Sequence, residues 1–96
     1  MHSKNAGGYF NTGNAYGFLK QYEQGIEDYD EALRLNPNHA KIYNNRGYTY
    51  CLLGQHIQAI KDYDKAIANY SKLLEDFNNE PFLKILVLSS LGYSYN

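Results

Sequence analysis

Cys51 has no second cysteine to pair with, so no intramolecular disulfide can form, and this usage fits a reducing compartment. An excess of charge is missing too. Nine basic residues stand against ten acidic ones, the formal net charge is -1, and Lys and Arg are scattered singly from Lys4 to Lys84. Binders of nucleic acid or anionic membrane carry a basic excess or patch, so both partner classes are disfavoured. No stretch is long enough to span a bilayer, because the most apolar one, Phe82 to Leu91, is short and is interrupted by Lys84, Ser89 and Ser90. The N-terminal residues Met1 to Gly8 lack the apolar centre of a secretory signal, and a cytoplasmic protein is the expectation.

The means for catalysis are also scarce. His2, His39 and His56 lack metal-ligand spacing with one another or with Cys51. No glycine-rich phosphate loop occurs, and Cys51 has no base evident in the sequence. No enzyme activity, cofactor or metal is expected.

What the chain does have is internal repetition. With 96 residues it holds one domain, which buries only about 60–65% of its unfolded surface, so association can contribute to its stability. Shifted by about 34 residues, the sequence meets itself. Ala6 falls on Ala40, Tyr9 on Tyr43, Asn11 on Asn45, Gly13 on Gly47 and Tyr16 on Tyr50. The match continues from Leu19 on Leu53 to Asp28-Tyr29-Asp30 on Asp62-Tyr63-Asp64 and Ala32 on Ala66. Within each unit the apolar and small residues keep a helical period: Tyr9, Gly13 and Tyr16 on a first helix, Ile26, Tyr29, Ala32 and Leu33 on a second. Asn36-Pro37-Asn38 stops the second helix, and Gly54-Gln55 breaks the next pair. Short connections make consecutive helices antiparallel neighbours, so the unit is a helical hairpin.

The spaced residues Tyr9-x3-Gly13-x2-Tyr16, Gly25-Ile26-x2-Tyr29-x2-Ala32 and Pro37 form one copy of a motif. The second copy is Tyr43-x3-Gly47-x2-Tyr50-x3-Gly54 with Ala59-Ile60-x2-Tyr63-x2-Ala66. This pattern resembles the tetratricopeptide-repeat (TPR) family from about Ala6 to Ala66. Small residues (Gly13, Gly25, Ala32, Gly47, Ala59, Ala66) occupy the places where two helices approach closely. The expected fold is all-α: antiparallel helical hairpins stacked as a short solenoid of about five helices and two and a half repeats, with an elongated fourth helix.

The second copy departs from the motif after Ala66. Ser71 replaces the closing proline, and the apolar stripe runs on through Ala59, Ile60, Tyr63, Ala66, Ile67, Tyr70, Leu73, Leu74 and Phe77. Asn78-Asn79-Glu80-Pro81 then reads as a stop and a new start. Gly92 and Tyr95 repeat the spacing of Gly47 and Tyr50, displaced by about 45 residues; the surplus of roughly 11 is about three helical turns. The expected layout is a flexible leader over 1–8, a first repeat over 9–39, a second with an extended B helix over 40–77, and an incomplete third A helix over 81–96. That last segment is apolar on more than one face, at Phe82, Leu83, Ile85, Leu86, Val87, Leu88 and Leu91. It reads either as a piece of a longer array or as a face covered by a second copy, with Phe82, Ile85, Leu86 and Leu88 as the self-association residues.

The resemblance implies a function: the A helices of TPR proteins line a concave groove that holds an extended peptide. By register the groove residues are Phe10, Asn11, Asn14, Lys41, Asn44, Asn45, Tyr48 and Cys51, continued by Ser89, Ser90 and Tyr93. Asparagine offers a carbonyl acceptor and two donors to a peptide main chain, while Tyr48 and Phe10 offer flat apolar area. The other reading of Asn44 and Asn45 is solvated helix surface. Chaperone-binding TPR domains grip a C-terminal carboxylate with two asparagines, two lysines and an arginine. Asn14 and Asn45 match those asparagines, but Phe10, Leu86 and Ser90 stand at basic positions, so a chaperone-tail adaptor is not expected. Glu27-Asp28-Tyr29-Asp30-Glu31 reads as a solvated face around a buried Tyr29, since Asp62-Tyr63-Asp64 repeats it. Arg46 is expected to pair with a carboxylate of the preceding B helix. Most of the eleven tyrosines fall at repeated core positions. Two functions remain: a protein–protein interaction module binding a peptide or protein segment, and an oligomerisation module that forms a homodimer through the C-terminal helix. Single-stranded RNA reading is disfavoured by the near-neutral charge.

Overall fold

Asn5 starts the fold by accepting the Gly8 N–H on its side-chain oxygen at 2.8 Å, which satisfies a donor at the opening turn of the first helix. The computed structural model describes residues 4–76 together with Ser89, Ser90 and Gly92. Among them are four helices, α1 (Ala6–Phe18), α2 (Tyr22–Leu35), α3 (Ala40–Leu52) and α4 (His56–Asp76), and no strand. Gly7 and Gly8, expected in a flexible leader, lie inside α1. Two glycines weaken a helix by about 1 kcal/mol each relative to alanine. The Asn5 cap and the packing of Tyr9 and Phe10 against the core offset that cost here.

Both hairpin turns are the same object. The Gln21 N–H donates to the Tyr16 carbonyl at 2.9 Å and the Lys20 N–H to the Gly17 carbonyl at 3.0 Å; Gln55 to Tyr50 and Gly54 to Cys51 repeat these bonds at the same lengths. This paired pattern ends a helix through one left-handed residue. Gly54 takes that conformation at φ 76° without penalty, whereas Lys20 takes it at φ 58° with a side chain attached. Pro37 ends α2 as expected, and the Tyr43 hydroxyl donates to the Pro37 carbonyl at 2.8 Å, fastening the joint between the hairpins.

The helices pack as neighbours in chain order, α1 on α2, α2 on α3 and α3 on α4. Glycines set the closest crossings. A Cβ on Gly13 would lie 2.7 Å from the Tyr29 ring and 3.2 Å from the Gly25 carbonyl, and one on Gly47 would lie 3.2 Å from Asp62 Cβ and 3.3 Å from the Ala59 carbonyl. The core gathers Tyr29, Ala32, Leu33, Ile42, Tyr43 and Ala66, with Tyr9 and Phe10 half-buried against it. Tyr16, Tyr50 and Tyr63, expected in the core, are half-buried.

The fourth helix is elongated, with 21 residues against 13 or 14 in the others. Its apolar stripe is not buried throughout. Ile60 and Ile67 are 60% and 63% exposed, although Leu33, one repeat before Ile67, is 7% exposed. The reason is position: α3 lies against α2, and no described helix lies against α4 on the corresponding side. Phe77 and the expected fifth helix fall outside the described residues, apart from helical Ser89 and Ser90 and Gly92 at φ 91°. Among the described residues no helix is long and apolar enough to cross a membrane.

Candidate functional site

The C-terminal half of α1 and the middle and end of α3 border an open cleft of about 870 Å³. Asn14, Gly17 and Phe18 come from α1, and Asn44, Asn45, Tyr48, Thr49 and Leu52 from α3. Tyr29 and Tyr63 reach it from α2 and α4, while Lys20 and Tyr22 close it at the first hairpin turn. The period that builds the fold also builds this lining: Phe18 and Leu52 are one repeat apart, as are Asn14 and Tyr48, and Tyr29 and Tyr63. Phe18, Tyr48 and Leu52 are 88%, 59% and 47% exposed, so the cleft offers apolar area to a ligand.

Its polar groups are organised by Tyr29. The Tyr29 hydroxyl donates to Asn14 Oδ1, and Asn45 Nδ2 donates to the same oxygen at 3.0 Å. The Thr49 hydroxyl donates back to the Asn45 carbonyl at 2.9 Å. Burial pushes the Tyr29 phenol above the usual tyrosine value, opposed by the neighbouring polar side chains of Asn45 and Thr49. Burial also raises Tyr63, helped by the neighbouring Cys51 thiol. Both phenols therefore stay neutral at physiological pH. Among the described residues Lys20 is the one charged side chain on the lining, and no carboxylate lines it.

Four of the expected groove residues, Asn14, Asn44, Asn45 and Tyr48, are brought together in this cleft. Phe10 is elsewhere: half-buried against the core, its ring centroid is 6.1 Å from that of Tyr29 and 6.0 Å from that of His39. Asn11 is exposed and Cys51 half-buried, and neither lines the cleft. Lys41 lines a smaller cleft of about 240 Å³ with His39, Tyr70, Leu73 and Ser90. Tyr93 and the self-association residues Phe82, Ile85, Leu86 and Leu88 lie outside the described residues, while Ser89 is exposed. Phe18, Lys20, Tyr22, Thr49 and Leu52 were not anticipated. The signal that finds Phe18 and Leu52 is their shared register in the last turn of an A helix, apolar in both copies.

Behind the cleft, Arg46 ties three helices together. Its Nε and Nη2 donate to the two carboxylate oxygens of Asp62 on α4, each at 2.7 Å, and its Nη1 donates to Asp30 on α2 at 2.8 Å. The guanidinium carbon lies 5.6 Å from the Tyr43 ring centroid and 5.7 Å from that of Tyr50. Burial works against the charge, but the bonds to Asp62 and Asp30 outweigh it and raise the Arg46 pKa. Asp30 is the expected partner on the preceding B helix, and the bidentate bond to the following one is additional. Asp62 is 4% exposed, so Arg46 neutralises a buried carboxylate.

No group of His, Cys, Asp or Glu among the described residues is arranged to hold a metal ion. Comparison with known families places the repeat period of the helices. Tetratricopeptide repeat models match residues 6–39, which span α1, α2 and the loop after them, and residues 28–61, from within α2 to within α4. No curated protein matches the chain. With both matched segments falling on these stacked hairpins, the chain belongs to the tetratricopeptide-repeat family.

Proposed function

We propose that this protein holds an extended polypeptide segment in the cleft between α1 and α3. Tetratricopeptide repeats are non-catalytic protein-interaction modules, and the finer reading rests on one observation: Asn14, Asn44, Asn45 and Tyr48 converge on one open cleft with exposed apolar area beside them. The amides supply hydrogen bonds to a main chain, and Tyr48, Leu52 and Phe18 supply surface for side chains. The scattered, balanced charge supports a protein partner over nucleic acid or membrane. A cytoplasmic setting, which is reducing, fits the unpaired Cys51. The test is binding of peptides selected from a linear library. Asn45→Ala combined with Tyr48→Ala should abolish binding with the helical circular dichroism unchanged; retained binding would remove the cleft from the account.

A second reading is favoured by the exposed face of α4, where Ile57, Ile60 and Ile67 are 70%, 60% and 63% exposed. In this reading the apolar segment after Pro81 forms a third A helix over 81–96, and self-association through Phe82, Ile85, Leu86 and Leu88 adds to the assembly. Leu86→Asp or Leu88→Asp then changes the mass in solution. A clean monomer at high concentration in sedimentation would sink this second reading and leave the first intact.

A further inference from the structure

The outer side of α4 carries a seam of its own. Ile57, Ile60, Asp64, Ile67 and Ser71 recur at alternating steps of three and four, the spacing of a coiled-coil seam, and all five are exposed. The side that meets α3 is a different one, marked by buried Ala59, Asp62 and Ala66. One repeat earlier α2 has Glu23 and Glu27, both exposed, where α4 has Ile57 and Lys61. The first repeat thus keeps glutamate where these positions meet water. The exchange turns a solvated edge into an apolar seam with a cation beside it, and exposed apolar area grouped in this way marks an interaction surface.

The contact between α2 and α3 shows what such a face accepts. There, two antiparallel helices gather Ile42 and Leu33 into one buried cluster and set Arg46 Nη1 2.8 Å from Asp30. Leu33 and Asp30 return on α4 as Ile67 and Asp64. Their complement, an aliphatic residue with a cation four places on, is Ile42 and Arg46 in α3 and occurs again at Ile57 and Lys61. The fourth helix therefore carries both halves of the contact. An antiparallel second α4 sets Ile57 against the partner's Ile67 and Lys61 against the partner's Asp64, and a two-fold axis repeats both pairs. A parallel pairing instead sets Asp64 against its own copy, like charge on like. Neither Lys61 nor Asp64 forms an ion pair among the described residues.

Resting on self-association, the second reading above, but moving it from the segment after Pro81 to α4, we infer that two copies of this chain pair α4 against α4 antiparallel, with Ile57 on the partner's Ile67 and Lys61 on the partner's Asp64. The isoleucines supply the apolar contact, and the charges fix direction and register. One helix pair falls at the small end of protein interfaces, below about 1,200 Å², so the dimer is weak and forms as concentration rises.

The test is sedimentation equilibrium of the full chain at low salt, from about 5 to 500 µM. The average mass is expected to rise toward twice that of the monomer. Ile67→Asp should weaken pairing by more than about tenfold with the helical circular dichroism unchanged. Lys61→Glu and Asp64→Lys, each alone, set like charges together at both ends of the seam and should each weaken pairing about fivefold. Mixed in equal parts, these two variants face opposite charges at both ends, and the mixed pair should recover to within about twofold of the unaltered dimer. The mixing experiment decides the matter even if Ile67→Asp does not fold. A monomer at every concentration, with the face left to the chain's own C-terminal segment or to another protein, would overturn this inference and the self-association reading together. A dimer lost in Leu86→Asp but unmoved by Ile67→Asp would overturn the inference while self-association stands. A dimer weakened by the single charge changes but not restored by mixing would overturn the antiparallel pairing.

Discussion

The two hairpins share a period but are locked differently. In the first, α1 and α2 meet backbone to backbone: Gly13 faces Gly25, and neither has room for a Cβ beyond 3.1–3.2 Å from the other's carbonyl oxygen. In the second, Ala59 takes the place of Gly25, the contact at Gly47 is slightly looser, and Arg46 adds a bidentate bond to Asp62. Thr12 stands one repeat before Arg46 and donates only to the Tyr9 carbonyl, so the first hairpin has no such lock. One repeat plan therefore tolerates two solutions: close approach where side chains are absent, or a buried ion pair where they are present. The turns reverse the advantage, since Gly54 relaxes the second and Lys20 strains the first.

The largest effect should come from the ion-pair lock. Arg46→Ala leaves Asp62 buried and unpaired, and should cost about 3–5 kcal/mol in urea unfolding. Replacing both residues together, Arg46→Leu with Asp62→Leu, should recover most of that loss, because no charge remains to be desolvated. An equal cost for the single and double variants would show that the pair itself, not the orphaned carboxylate, matters. Next in size is Gly13→Ala, whose Cβ would press on the Tyr29 ring and the Gly25 carbonyl; we expect a loss of about 2–3 kcal/mol. Gly47→Ala meets contacts of 3.2–3.3 Å and should cost less, about 1–2 kcal/mol. Equal losses would erase the contrast between the hairpins.

Smaller changes sharpen the comparison. Lys20→Gly should stabilise the first hairpin by about 0.5–1 kcal/mol by relieving the left-handed residue, and Gly54→Lys should destabilise the second by a similar amount. The smallest effect is alkaline. Burial raises the pKa of Tyr29, Tyr50 and Tyr63, so their neutral forms favour the fold. That contribution is whole below the unfolded tyrosine value of about 10 and is lost as pH rises through the higher folded values. Urea midpoints should therefore be unaffected by these groups up to about pH 9 and fall beyond about pH 10, with a smaller fall in Tyr29→Phe.

Much of the fold was legible in the sequence because repetition doubles every signal. Gly13 and Gly47 mark the close crossings, Pro37 the joint, and the run through Leu73 and Leu74 the long fourth helix. Local residues misled where a contact distant in sequence decides. Gly7 and Gly8 look like a leader, yet Asn5 caps them into α1 and Tyr9 anchors them to the core. Ile60 and Ile67 fall on an apolar stripe, but a stripe records which residues share a face, not whether another helix covers it. The cleft was half legible. Register brings Asn14, Asn44, Asn45 and Tyr48 to one place, while Phe10 turns to the core because Tyr29 and His39 offer it aromatic neighbours. The Asn14–Asn45 hydrogen bond and the bidentate hydrogen bonds of Arg46 to Asp62 depend on interhelical distances that spacing does not encode.

The central claim is that the cleft between α1 and α3 is where this protein meets its partner. Its most direct test is a nitrogen-15 NMR titration of the full chain with a peptide selected for binding. The account predicts that the side-chain amides of Asn14 and Asn45 and the backbone signals of Tyr48 and Leu52 move together and saturate at one affinity. Saturating shifts confined to the Ile57, Ile60 and Ile67 face of α4, with those amides unmoved, would contradict it.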